Sequence, residues 1–145
     1  MKNVFVVLSM VLLLASCNSS KKAKSSSELF LTGTRWTVIK VKDMMSTSKN
    51  PRVLELSLPD KKGNGSFTGN TGCNTMSGNY SSEKGTKKIQ FTNAVTTKMA
   101  CDDKQENTFV SAINTVNSYE ISGKILKLYS GGDLLLTLEG VNIAQ

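Results

Sequence analysis

The stretch Phe67-Thr68-Gly69-Asn70-Thr71-Gly72-Cys73-Asn74-Thr75-Met76-Ser77-Gly78-Asn79-Tyr80 is the part of the chain around which the rest is organised. Its glycines, Gly69, Gly72 and Gly78, are expected where the backbone needs a positive φ or a close approach of another segment. Its asparagines favour turns and bulges, because their side chains bond neighbouring backbone groups. We therefore predict a structural joint between two strands, flanked by short strand segments at Phe67 and Tyr80, with Cys73 held in place.

Strands are predicted on the N-terminal side of this joint. Residues Gly33 to Val41 are rich in β-branched and aromatic side chains, and Trp36, the single tryptophan, is expected to anchor the core. A polar loop is predicted from Met44 to Asn50. A second strand then follows from the alternation of Leu54, Leu56 and Leu58 with polar residues.

On the C-terminal side of the joint, the sequence predicts further strands and one helix. Ile89 to Phe91 is a strand, Ala94 to Cys101 is less regular, and three runs between residues 119 and 139 form an antiparallel meander with two short turns. The helix is predicted from Asp102 to Val116, because Phe109, Ala112, Ile113 and Val116 recur at helical spacing. Asp102 or Asp103 is expected to cap it, with Glu106 completing a capping box.

These elements predict an α+β fold, an antiparallel curved sheet or partial barrel of about eight strands with one helix packed on it. The apolar face of the helix is interpreted as core, although the same stripe is also compatible with a partner-binding surface.

The N-terminal segment is predicted to be a lipoprotein signal peptide spanning residues 1–16. Lys2 precedes an apolar run from Val4 to Ala15, which is too short to cross a bilayer comfortably. The run ends in Leu14-Ala15-Ser16-Cys17, which resembles the lipobox of bacterial lipoproteins; the alternative is an ordinary signal peptide. The resemblance implies that Cys17 becomes the first mature residue and carries two or three acyl chains, which hold a membrane firmly.

Residues 17–28 are predicted to be a lipidated flexible tether, because they contain little that a core can bury. Its three lysines, Lys21, Lys22 and Lys24, either favour anionic headgroups or simply keep the spacer soluble. Residues 29–141 are then one domain, carrying fourteen basic and ten acidic residues when counted from Leu29. No basic and aromatic residues interleave there as in a nucleic-acid platform, so we expect no nucleic-acid partner.

Five pieces of this domain together resemble the META domain family, which includes the heat-inducible, HslJ-like bacterial proteins. The pieces are Gly33-Thr34-x-Trp36, Gly72-Cys73-Asn74-x-x-x-Gly78-x-Tyr80, Ile89-x-Phe91, Thr97-x-Met99-Ala100-Cys101 and Glu106. Val38 stands where relatives have leucine, a change that conserves volume. The resemblance implies an exported domain linked to envelope stress, heat and drug tolerance, and in parasite relatives to virulence and secretion. It supplies no catalytic residue, so its motif positions are predicted to be structural.

Histidine is absent from the sequence, which excludes His-based triads, Cys-His pairs and histidine metal sites. A Ser-Lys or carboxylate-pair mechanism remains formally open. Cys73 and Cys101 lack the CxxC spacing of zinc or thioredoxin-like sites, so no metal or cofactor is expected. In an oxidising exported compartment two cysteines tend to pair. We predict a disulfide with Cα atoms within roughly 7 Å; the alternative is a pair of buried thiols.

Three functions are open from the sequence. The favoured one is a non-catalytic binding or stress-protective module, a monomer anchored through Cys17 to a bacterial membrane, expected at the periplasmic side of the outer membrane, with an envelope protein as partner. An exposed apolar patch would favour it. The alternative is an inhibitor of a protease or wall-degrading enzyme, which a protruding loop such as 44–50 would favour. An enzyme is the third possibility, and the absence of histidine counts against it.

Overall fold

Polar and apolar residues alternate along most strands of the structure, a computed structural model that describes residues 28–143. The signal segment 1–16, Cys17 and the tether up to residue 27 lie outside the described residues. The described part of the chain forms these elements in order: β1 (Thr34–Val41), β2 (Met44–Met45), β3 (Val53–Leu56), β4 (Asn64–Asn70), β5 (Thr75–Ser82), β6 (Ile89–Thr96), α1 (Glu106–Thr115), β7 (Ser118–Ser122), β8 (Ile125–Ser130) and β9 (Asp133–Asn142).

The strands form one sheet in the order β6-β5-β4-β3-β1-β9-β8-β7, with β2 paired only to β1. All strand pairs are antiparallel. The sheet curls until its two outer strands approach each other, where Lys88 forms an isolated bridge with Ser118. The predicted α+β class, with a curved sheet and one helix, is confirmed, and so is the C-terminal meander.

The core lies inside this curled sheet. Trp36 is fully buried, which confirms its prediction as the core anchor. The register of β1 shifts between Val38 and Lys40. This bulge turns Val41 inward, so the simple alternation of the sequence fails at the end of β1.

The helix α1 closes the core on the side of β6. Phe109, Ala112 and Ile113 are buried on it, and Val116 is buried immediately after it. Burying a phenylalanine side chain stabilises a fold several times more than one exposed ion pair does. The helical periodicity therefore identified core residues, as predicted.

The predicted start of the helix was wrong. The helix begins at Glu106, its N-cap is Gln105, and no side chain caps it. The Asp103 carboxylate binds two partners: its Oδ1 accepts from the backbone N–H of Gln105 at 3.0 Å, just before the helix, and both of its oxygens accept from the guanidinium of Arg52, which is fully buried. An unpaired buried charge costs far more than a helix cap contributes, so the ion pair with Arg52 is the larger of the two roles of Asp103.

Three boundaries also differ from the sequence prediction. Met44 and Met45 pair with β1, so only the rest of the predicted loop is irregular. Strand β6 continues to Thr96, because its backbone pairs with β5 as far as Met76. Strand β3 ends at Leu56, which leaves Leu58 exposed.

Candidate functional site

The predicted joint is the hairpin connection between β4 and β5, and four residues form it, Thr71 to Asn74. The backbone N–H of Thr71 donates to the carbonyl of Asn74 at 2.8 Å, and the backbone N–H of Asn74 donates to Thr71 Oγ1 at 2.9 Å. Gly72 has a φ of +99°, and a Cβ there would lie 2.7 Å from Asp103 Oδ2. Glycine is therefore required at this position for both conformation and space.

Asn74 joins this connection to the segment that follows β6. Its Oδ1 accepts from the backbone N–H of Met99 at 2.8 Å and from Thr97 Oγ1 at 2.7 Å. Its Nδ2 donates to the carbonyl of Met99 at 3.3 Å and to Glu106 Oε1 at 2.9 Å. Both acceptor and both donor positions of the buried amide are thus used within the fold.

Glu106 brings the first residue of α1 to the same place. Its Oε1 accepts hydrogen bonds from Thr71 Oγ1 and from Asn74. The hydroxyl of Thr71 and then the amide of Asn74 lower the pKa of Glu106 from its ordinary value of 4.5, although partial burial acts in the opposite direction. A carboxylate at a helix N-terminus is also favoured by the helix dipole. Glu106 is therefore ionised at neutral pH.

A disulfide between Cys73 and Cys101 fastens the same two segments covalently. The Cα atoms are 6.2 Å apart, within the range that a bridge requires, and 28 residues separate the cysteines in sequence. The predicted pairing is confirmed. We call the set formed by Thr71, the disulfide, Asn74, Met99 and Glu106 the junction.

A second polar cluster lies beside the junction and was not predicted from the sequence. Arg52 Nη2 donates to both carboxylate oxygens of Asp103, at 2.6 and 2.7 Å, and Nη1 donates to Ser46 Oγ at 2.7 Å. Gln105 accepts from the backbone N–H of Thr47 at 3.0 Å and donates to the carbonyl of Met45 at 2.9 Å. These contacts hold the loop after β2 against the start of α1. Nothing local in the sequence marks Arg52 or Gln105, because the carboxylate that pairs with Arg52 lies 51 residues away and the backbone partners of Gln105 lie 58 and 60 residues away.

The remaining motif residues lie away from the junction. Trp36 donates through Nε1 to the carbonyl of Leu31 at 2.9 Å. The hydroxyl of Tyr80 donates to the carbonyl of Ser57 at 2.7 Å, and burial raises the pKa of Tyr80. A Cβ at Gly78 would lie 2.8 Å from the carbonyl oxygen of Thr92. The structure therefore brings Gly72, Asn74, Met99 and Glu106 together and places Trp36, Gly78 and Tyr80 in the packing of the sheet.

A groove of about 660 Å³ borders the junction. One wall is the C-terminal end of β6 with residues 97–100, and the other is the outer side of α1, from Asn107 to Thr115. Beyond the bridge at Lys88, the outer edge of β6 pairs with no other strand of the described sheet. Met99 on this rim is 60% exposed and the neighbouring Val95 is 62% exposed. The groove thus combines the end of an unpaired strand edge with the exposed side chain of Met99, while Val95 lies outside its lining.

Metal-binding and membrane-spanning features are absent from residues 28–143. No cluster of three or more potential metal ligands occurs there. The helix of this part of the chain has ten residues, and none of its helices has the length and hydrophobicity to cross a bilayer.

The fold and the junction together define a class of protein: an α+β domain with a curled antiparallel sheet, a single covering helix and a disulfide-fastened hairpin. The chain belongs to the META domain family, whose model matches residues 29–141.

Two solved structures share the fold. The NMR structure of a protein from Burkholderia xenovorans is 22% identical with a TM-score of 0.60, and the alignment covers 78% of this chain and 85% of that one. The crystal structure of a DUF4847 family protein from Bacteroides vulgatus is 17% identical with a TM-score of 0.50, and the alignment covers 81% and 96% of the two chains. No curated protein matches the sequence significantly.

Proposed function

We propose that this protein is a lipid-anchored component of the bacterial envelope whose META domain acts without catalysis, as a binding or stress-protective module. The observation that carries the proposal is the engagement of the junction's polar groups within the fold. Asn74 uses its whole hydrogen-bonding capacity internally, and Glu106 receives two internal donors. A general acid or base must instead be free to exchange a proton with a substrate. The junction is therefore suited to fixing the β4–β5 connection against the segment that leads into α1, and so to keeping the adjacent groove in one conformation.

The anchor is supported by the sequence of the N-terminal segment. Leu14-Ala15-Ser16-Cys17 has the form of a lipobox, and the ten residues that follow, 18–27, include three lysines and no acidic residue. Two or three acyl chains on Cys17 would hold the protein stably at a membrane. We place it at the periplasmic face of the outer membrane. We propose a role in heat or drug tolerance, which the resemblance to the family implies.

The groove beside α1 is our candidate for the binding surface. An extended polypeptide can add to an unpaired strand edge through its backbone, with side-chain pockets giving selectivity. The edge of β6, which reaches the groove at Thr96, and the exposed side chain of Met99 suit such a segment. We propose an extended segment of another envelope protein as the occupant, because a damaged or incompletely folded protein exposes such segments.

The alternative function, inhibition of a hydrolase, requires a loop that projects into the cleft of the target. The candidate loop 44–50 is instead held to the domain, since Gln105 binds the backbone of Met45 and Thr47, and Arg52 binds Ser46. This arrangement favours the binding module over the inhibitor.

The anchor is tested by cell fractionation. Cys17→Ser should remove acylation and move the exported protein into the soluble fraction, whereas Ser20→Ala in the tether should remain with the membranes. A Cys17→Ser protein that fractionates like the unmodified protein would overturn the anchor.

The binding surface is tested by photocrosslinking in living cells. A photoreactive residue in place of Ser111, on the groove side of α1, should capture envelope proteins, and more of them after heat shock. The same residue in place of Glu139, which is exposed on β9, is the matched control. Equal capture from the two positions would show that the groove has no special role.

A further inference from the structure

We propose that one end of the domain is a docking surface for anionic lipid headgroups. The folded domain would then contact the membrane directly, in addition to being attached to it through the acylated tether. This inference rests on the anchor proposed above. We call this end the anchor end and define it as residues 28–33, 57–63, 83–88 and 123–124. It is the end at which the described chain begins, on the side that leads back towards Cys17.

Hydrogen bonds bring the segments of the anchor end together. The backbone N–H of Leu29 donates to the carbonyl of Gly123 at 3.0 Å. The backbone N–H of Ser82 donates to the carbonyl of Gly63 at 2.8 Å. Phe30, Lys61 and Lys84, from three of these segments, line one concave surface of about 600 Å³. The segments therefore present a continuous surface.

The positive charge of the domain is concentrated at this end. The anchor end carries six lysines and three acidic residues. The opposite end, taken as residues 42–52, 71–74, 97–106 and 131–133, carries five basic and five acidic residues. The rest of residues 28–143 carries three of each. The whole surplus of three positive charges in this part of the chain thus lies where the tether attaches.

Four of the six lysines at the anchor end are available to a ligand. Lys88 pairs with Glu83 at 3.2 Å, and Lys87 lies 5.3 Å from the centre of the Tyr119 ring. Within residues 28–143 the other four have no ion-pair partner, and all are exposed: Lys61, Lys62, Lys84 and Lys124.

Two large apolar side chains accompany these lysines. Phe30 is 79% exposed and Leu58 is 70% exposed. A basic surface with exposed phenylalanine and leucine is typical of proteins that bind the interface of a membrane containing anionic lipids. Phe30 lines the same concave surface as Lys61 and Lys84, and Leu58 directly precedes Pro59, which also lines it.

The tether allows this contact and adds to it. Residues 18–27 reach at most about 35 Å when fully extended, so acylation at Cys17 would keep the anchor end close to the headgroups. Lys21, Lys22 and Lys24 of the tether have the same charge as this surface. We infer that tether and anchor end bind the same anionic layer.

The test uses the mature chain, residues 17–145, with Cys17→Ser so that acylation makes no contribution. Binding is measured to vesicles of phosphatidylglycerol with phosphatidylcholine and to vesicles of phosphatidylcholine alone. We expect binding only to the anionic vesicles, and loss of binding at high salt. Substituting Lys61, Lys62 and Lys84 together by glutamine should weaken binding at least about tenfold, given the usual contribution of each lysine near an anionic surface.

A matched variant removes the same charge from the opposite end. Lys49, Lys98 and Lys104 are also exposed and without an ion-pair partner in the described chain, and replacing them by glutamine should leave binding nearly unchanged. If the two triple variants weaken vesicle binding equally, binding depends on net charge alone, and the proposed docking surface at the anchor end is wrong. If vesicle binding is lost only when Lys21, Lys22 and Lys24 are replaced by glutamine, the tether alone binds the lipid, and the proposed docking surface is again wrong. Neither result bears on acylation, which the fractionation of Cys17→Ser tests separately.

Discussion

The side-chain amide of Asn74 pairs with the backbone amide of Met99 as one strand pairs with the next. Met99 N–H donates to Asn74 Oδ1 at 2.8 Å, and Asn74 Nδ2 donates to the Met99 carbonyl at 3.3 Å. One side chain thereby extends the β5–β6 pairing beyond Thr96, where the regular strand ends. This pairing sets the position of the segment that leads into α1 and forms one wall of the groove.

Removing the Asn74 amide should destabilise the domain substantially. Asn74→Ala removes the four hydrogen bonds that the side chain makes to oxygen and nitrogen partners, and a fifth to Cys73 Sγ, from a site that is 4% exposed, so we expect a loss of about 2–4 kcal/mol in the free energy of unfolding, measured by denaturant titration. Asn79→Ala is the matched control, because Asn79 is exposed on β5, and its cost should be below about 0.5 kcal/mol. Similar losses for the two variants would contradict the role assigned to Asn74.

The disulfide should contribute measurably to stability. Cys73 and Cys101 close a loop of 28 residues, which the chain-entropy estimate values at about 3–4 kcal/mol. Mass spectrometry of the unreduced protein should show the loss of two hydrogens, and reductant should lower its melting temperature. The double variant Cys73→Ala/Cys101→Ala should melt lower than the oxidised protein and be insensitive to reductant. An unreduced protein that contains two free thiols would contradict this prediction.

The carboxylate of Glu106 should make stability depend on acid pH. Its pKa is lower in the folded state than its ordinary value of 4.5. Its contribution is therefore fully present above that value and is lost as the pH falls through the lower, folded-state pKa. Glu106→Gln keeps an acceptor for Thr71 and Asn74 without a titrating group. We expect the stability difference between the two proteins to be largest at neutral pH and to shrink below about pH 4.5.

The measurement is denaturant unfolding of the unmodified protein and of Glu106→Gln at a series of pH values. Other acidic groups, including Asp60, whose pKa is lowered first of all by the backbone N–H of Asn64, titrate alike in both proteins and cancel in the difference. A difference that does not change with pH would mean that the charge of Glu106 has no part in the stability of the junction.

The helix should behave as core scaffold. Phe109 is fully buried, so Phe109→Ala should cost about 3–5 kcal/mol in unfolding free energy. Phe30→Ala changes the same side chain at a position that is 79% exposed, and it should cost less than about 1 kcal/mol. A small cost for Phe109→Ala, together with loss of crosslinked partners, would instead identify the buried face of the helix as an interface.

The sequence by itself determined the strands, the turns and the core face of the helix. Trp36, Phe109 and Ile113 were predicted inside because burial follows from apolar character and local periodicity, which a short window of sequence contains. The joint at Gly72 and Asn74 was predicted for the same reason, since turn chemistry is local. The pairing of Cys73 with Cys101 was predicted from an expected oxidising compartment and from their being the two cysteines of the domain.

Only the tertiary structure decided the contacts in which distant polar groups compete for partners. The local sequence predicted Asp103 only as a helix cap. Its Oδ1 does accept from the backbone N–H of Gln105, but its carboxylate also pairs with the distant Arg52, because burying a guanidinium without a carboxylate is costly. The bulge after Val38 likewise depends on pairing with β9, about one hundred residues further along the chain. The anchor end also emerges only on folding, because its lysines come from three separate turns that the curled sheet brings to one end.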